Sequence, residues 1–138
     1  MTKAKRHYTL GHAKAGINAS LPRLECWENQ HPGYSVCLTF PEFTSVCPKT
    51  GLPDFGTIVI QYEPARWCLE TKSLKLYLNG YRDVGMFTEN IVNRILKDIV
   101  AAAKPKWAAV EGQFKARGGL EAAIRAEHGR PKTDCNCH

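Results

Sequence analysis

The segment "ENIVNRILKDIVAAAK", residues 89 to 104, constrains the fold more than any other stretch of this chain. Apolar residues recur at Ile91, Val92, Ile95, Leu96, Ile99 and Val100. That spacing puts them on one face of an amphipathic helix, which has to be buried. Pro105 ends the helix, because proline lacks an amide hydrogen and disfavours helical geometry in the residue before it. The flanking segments follow a different period. "YSVCLTF" sets Val36, Leu38 and Phe40 against Ser35, Cys37 and Thr39, and "GTIVIQY" is a β-branched run of similar length. The two read as antiparallel strands. Downstream, "WAAVEGQF", Trp107 to Phe114, reads as a third strand.

Two segments satisfy more than one reading. In "ETKSLKLYLNGY", Leu74, Leu76 and Leu78 alternate as in a strand, whereas Leu74, Tyr77, Leu78 and Tyr81 share a helical face. Gly118 and Gly119 mark a turn into "LEAAIRAEHG", whose alanines and glutamates favour helix on propensity alone. A chain of 138 residues is the size of one domain, so residues 1–138 are expected to form one, with a polar leader over about 1–18 and a tail over about 128–138. Apolar residues are 43% and charged residues 23%, which fits a soluble protein. No apolar run is long enough to span a bilayer or serve as a signal core, so the cytoplasm is the expected location. Its six cysteines are then expected to be reduced. A net charge of +6 points to an anionic partner, either a phosphorylated cofactor or a nucleic acid.

"SVCPKTGLPDF" carries the sharpest candidate chemistry. Pro48 and Pro53 disfavour regular structure, so Cys47 is placed at the mouth of a constrained loop between two strands. A thiol becomes a nucleophile when its thiolate is favoured or a base takes its proton, and Asp54 could act as that base and later as the acid. Spacing alone equally allows Cys47 as a small buried residue and Asp54 as a turn residue. Lys72 and Lys75 fall on one face if their segment is helical, and could hold a phosphate or simply be solvated. Thr88 suits an N-cap and Glu89 a first helical turn; Glu89 could also accept two N–H donors from a purine-like ring. Arg117, before two glycines, is a candidate anion contact. Cys135, Cys137 and His138 lack a second ligand pair at zinc-site spacing.

Taken in order and spacing, "PEFTSVCPKTGLPDFGTI", "ETKSLKLYLNGYR", "GMFTEN" and "FKARGG" resemble the NADPH-dependent 7-cyano-7-deazaguanine reductases, the nitrile reductases of queuosine biosynthesis known as the QueF family. The resemblance covers roughly Leu10 to Gly129. It implies an α+β tunnelling fold, an antiparallel four-stranded sheet with two helices on one face, whose subunits join edge to edge into a barrel. The ambiguous segments become a helix and a fourth strand. By the same resemblance Cys47 is the nucleophile that forms a thioimide with the nitrile carbon, and Asp54 the proton donor and acceptor. Leu69, Glu70 and Thr71, from a neighbouring subunit, would line the substrate pocket with Thr88 and Glu89. Lys72, Lys75 and Arg117 would hold the phosphates of NADPH. The implied protein is a homo-oligomer with sites at subunit interfaces, no metal and no membrane association.

Two positions depart from the family pattern. Thr88 stands where most members carry histidine, and a hydroxyl cannot carry a proton at neutral pH as imidazole can. Ile91 stands where some members carry a cysteine able to pair with the nucleophile. Thr88 leaves open an alternative that keeps the thioimide, the addition of ammonia to the nitrile on transfer RNA to form archaeosine; nucleic acid is a partner only in that reading. A non-catalytic binding module is a third reading, disfavoured by the nucleophile loop. The zinc cyclohydrolases of the same fold need a Cys and His set, but no histidine lies between His31 and His128.

Overall fold

The structure, a computed structural model, describes residues 8–129 of the chain. After a short helix α1 (Leu10–Ala13), the chain forms β1 (Cys26–Glu28), β2 (Val36–Val46), β3 (Pro53–Glu63), β4 (Trp67–Leu69) and α2 (Thr71–Asn79). A single 3-10 turn (Gly80–Asp83) leads to α3 (Thr88–Ala103), β5 (Trp107–Arg117) and β6 (Leu120–His128). Strands β2, β3, β5 and β6 form a four-stranded antiparallel sheet in that order, and β1 pairs with β4 in a separate ribbon. The fold class is α+β, as expected.

The helical stripe lies where its period requires. Ile91, Val92, Ile95 and Ile99 of α3 are fully buried in one core with Ile58, Ile60 and Tyr62 of β3 and Ala108, Val110 and Phe114 of β5. Burying each large aliphatic side chain contributes about 1.5–3 kcal/mol. The helix approaches β5 so closely that a Cβ added at Gly112 would lie 2.7 Å from Val92 Cγ2. Lys104 takes the left-handed conformation at the end of α3, which turns the chain ahead of Pro105.

Residues 71–79 are helical, and burial shows which of the two competing patterns prevailed. Leu74, Tyr77, Leu78 and Tyr81 are all buried, while Leu76, which the strand pattern would have turned inward, is 55% exposed. Tyr77 and Tyr81 share a hydrogen bond of 2.8 Å, and Tyr77 also donates to Asp98 of α3, tying the two helices together.

The segment after Gly118 and Gly119 is a strand despite its composition. Both glycines have positive φ, +65° and +87°, so Arg117 and Leu120 pair across them and β6 is directed back along β5. Ile124 and Ala126 then face the core, and alternation outweighs helical propensity. β2 runs beyond the expected Phe40 to Val46, with its register shifted between Phe40 and Phe43, where Pro41 sits on this edge strand.

Within the stretch expected as a polar leader, α1 is tied to α3. Asn90 Nδ2 donates to Ala13 O at 2.7 Å, and Arg94 Nη1 to Gly16 O and Ile17 O at 3.3 and 3.2 Å. Cys26, Cys47 and Cys68 are free thiols, but Cys37 is disulfide-bonded, which corrects the expectation that every cysteine is reduced. Residues 130–138, with Cys135, Cys137 and His138, lie outside the described part of the chain.

Candidate active site

Cys47 directly follows the last residue of β2, and Pro53 opens β3. The loop between them is closed by its own hydrogen bonds. Cys47 N donates to Leu52 O at 2.8 Å, Gly51 N to Cys47 O at 2.9 Å, and Leu52 N to Thr50 Oγ1 at 3.2 Å. Gly51 has a φ of +73°, a left-handed turn that residues with a Cβ rarely adopt. The strand end beneath the loop is held from a second side. Val46 N donates to Val84 O at 3.2 Å and Met86 N to Val46 O at 3.0 Å, bracketing a parallel bridge between Val46 and Gly85. The segment that enters α3 is thereby joined to the strand end that presents Cys47.

Cys47 is half-buried. Burial pushes its thiol up, but hydrogen bonds from the Thr50 side chain and from the backbone of Thr50 and Lys49 outweigh that. The net result lies below the ordinary thiol value, even though the negative charge of Asp54 opposes it. A partly exposed sulfur whose thiolate is favoured is the condition for nucleophilic attack. Asp54, also half-buried, sits near the start of β3 opposite Ser45, close enough for its charge to act on Cys47. The structure therefore brings the expected nucleophile and carboxylate together.

Glu89 is exposed in the first turn of α3. Thr88 is not the N-cap expected from sequence. Phe87 occupies that position in extended conformation with no side-chain cap, and Thr88 Oγ1 instead donates to Glu89 Oε1 at 3.0 Å. Glu89 lines a cavity of about 480 Å³ with Tyr8, Thr9, Ala13, Phe87 and Asn90. The Tyr8 ring lies 5.8 Å from Phe87, and Lys49 Nζ lies 5.3 Å from the Tyr8 centroid, linking the Cys47 loop to this cavity. Sequence reasoning missed Tyr8, Lys49, Thr50 and Phe87. A hydroxyl three residues after the thiol was the one signal that could have identified Thr50.

The remaining candidates lie on the other helix. Leu69 is buried, with its N–H bonded to Tyr62 Oη at 3.0 Å. Glu70 caps α2, its carboxylate accepting from Lys72 N and, at 3.1 Å, from Ser73 N. It also lines a cavity of about 880 Å³ between residues 21–26 and the two long helices. Thr71, Lys72 and Lys75 are exposed. Among the described residues, no hydrogen bond or ion pair connects Leu69, Glu70, Thr71, Lys72 or Lys75 to the Cys47 loop or to Glu89. Lys72 and Lys75 have no ion-pair partner among the described residues. Arg117 ends β5 opposite Leu120, and its side chain lies outside the described part.

Similarity to known proteins extends over most of the chain. The QueF-like protein family matches residues 53–133. An NADPH-dependent 7-cyano-7-deazaguanine reductase from Elusimicrobium minutum is 59% identical over 122 residues, covering 88% of this chain and 92% of its own length. The enzyme of the same name from Chloroherpeton thalassium is 51% identical over 107 residues, covering 76% and 92%. The crystal structure of the archaeosine synthase QueF-Like in the apo form matches with a TM-score of 0.68 at 24% identity, covering 73% of this chain and 99% of that one, a likeness of fold alone. A thiol loop built against the entrance of α3, together with identity of this extent, identifies the chain as a member of the QueF-like protein family.

Proposed function

We propose that this chain is a nitrile reductase that converts 7-cyano-7-deazaguanine to 7-aminomethyl-7-deazaguanine with NADPH through a thioimide on Cys47. The observation that carries the reading is the Cys47 loop, where hydrogen bonds favour the thiolate beside the carboxylate of Asp54. The names of its relatives, at up to 59% identity among those compared, support the substrate and the cofactor.

In this mechanism the Cys47 thiolate adds to the nitrile carbon. Asp54 takes the thiol proton as the carbon–sulfur bond forms, the triple bond becomes a double bond, and Asp54 passes that same proton to the nitrogen. NADPH, when bound, supplies hydride to that carbon, and the four electrons between nitrile and amine require it twice. Cys47 departs as thiolate once the carbon has been reduced, which frees the imine for the second reduction. Asp54, reprotonated from solvent, would return protons to the nitrogen in the later steps. Glu89, exposed beside the cavity that it lines with Phe87, accepts N–H donors from the guanine-like edge, and Thr88 orients it through their 3.0 Å contact. Lys72, Lys75 and Arg117 would hold the dinucleotide phosphates.

Within one chain, among the described residues, Leu69, Glu70 and Thr71 share no hydrogen bond or ion pair with the Cys47 loop or Glu89, which supports a tunnelling-fold assembly. Leu69, Glu70 and Thr71 of one subunit then complete the pocket opened by Cys47 and Glu89 of the next, and strands β2 and β6, the open edges of the sheet, join neighbouring subunits. Each chain contributes one domain. The test is product analysis with purified protein, 7-cyano-7-deazaguanine and NADPH. The expected result is the aminomethyl product with two NADPH consumed per nitrile. No turnover by folded, assembled protein refutes the reductase, and an amidine formed from ammonium instead selects archaeosine chemistry.

A further inference from the structure

Ser45 holds a buried polar atom that the fold leaves unexplained. Its side chain is 0% exposed, and among the described residues its Oγ has no hydrogen-bond partner. Buried hydroxyls are almost always paired, so an orphan of this kind asks for a reason. Its location supplies one. Ser45 pairs directly with Asp54 across the β2–β3 register and precedes Cys47 by one residue, Val46, which is itself held on both sides by Val84 and Met86. Facing residues on antiparallel strands place their Cβ atoms about 4.5–5.5 Å apart on the same side of the sheet. At that spacing a serine hydroxyl and an aspartate carboxylate are within reach of each other through side-chain rotation, and Ser45 Oγ has no hydrogen bond among the described residues to break in doing so.

We infer that Ser45 is a positioning residue, whose hydroxyl donates a hydrogen bond to the Asp54 carboxylate when that group turns to exchange a proton with the nitrile nitrogen. The inference rests on the reductase reading, since it acts through Asp54. The hydroxyl keeps its proton and transfers nothing; its part is to fix the direction of the carboxylate beside Cys47. The competing explanation is a packing imperfection, in which the hydroxyl serves nothing and its removal is harmless or stabilising.

Ser45→Ala and Ser45→Thr separate the two explanations. The measurements are the melting temperature, kcat and KM, and the rate of covalent adduct formation with the nitrile in the absence of NADPH. Ser45→Ala is expected to melt at or above the wild-type temperature and keep its KM, yet form the adduct and turn over about tenfold more slowly, as for loss of one hydrogen bond to a charged group. Ser45→Thr, which keeps a hydroxyl, is expected to recover most of that loss; should it not fold, the alanine variant decides alone. Wild-type kcat and adduct rate in Ser45→Ala overturn the inference while leaving the reductase intact. If the wild-type protein itself forms no adduct, the reductase reading falls and the inference falls with it.

Discussion

The two hairpins of the main sheet both turn on glycine, but they are built differently. β5 and β6 are joined by Gly118 and Gly119 alone, where an added Cβ would meet nothing within 4 Å. β2 and β3 are joined by Cys47–Leu52, a loop closed by its own hydrogen bonds and resting on a strand end held by Val84 and Met86. The first hairpin is a local solution, with its geometry contained in the turn residues. The second is a tertiary one, with its shape shared with the entrance to α3. That difference teaches where a reactive thiol can be maintained. Favouring a thiolate requires donors fixed around it, and the longer, doubly anchored loop supplies them.

The comparison breaks if changes in the two hairpins have like effects. Cys47→Ala is expected to abolish turnover, by about a thousandfold or more, with an unchanged melting temperature, as seen by NADPH consumption and thermal denaturation. Asp54→Asn keeps the shape but loses the proton, and kcat is expected to fall by about a hundredfold. Thr50→Val sharpens the comparison. The reactive form of Cys47 is the thiolate, and hydrogen bonds hold its pKa below the ordinary value, so removing the hydroxyl moves the midpoint of alkylation against pH upward. Alkylation by iodoacetamide should then be about threefold to tenfold slower at neutral pH and converge with wild type in alkali. Gly119→Ala should act the other way, lowering stability by about 1 kcal/mol through its left-handed φ while adduct formation without NADPH stays at the wild-type rate.

The same division explains what could be read from the letters. The α3 stripe, the β2 and β3 runs and the β5 run are local periodic patterns, and each forms the element its period predicts. Residues 71–79 fit two periods, and burial of Tyr77 and Tyr81 against the rest of the core decides between them, information that no local window contains. β6 is misread by propensity because two positive-φ glycines and the pairing with β5 outweigh its alanines. At the site, the prolines mark the Cys47 loop, but Asp54, expected in the loop segment before Gly56, lies on β3, which already begins at Pro53. The bridge from Val46 to Gly85 joins residues far apart in sequence and leaves no signature in either segment. Tyr8 and its contacts with Phe87 and Lys49 fall in a stretch without periodicity. Threonine favours the N-cap position, so Thr88 suggests a cap, but α3 begins with Phe87 as its cap, and the Thr88 hydroxyl donates to Glu89 instead.

Intact-protein mass spectrometry after mixing with 7-cyano-7-deazaguanine and no NADPH tests the central claim most directly. The account predicts a gain equal to the mass of the nitrile, present in the wild-type protein and absent in Cys47→Ala. No gain in folded wild-type protein, or the same gain in Cys47→Ala, would contradict it.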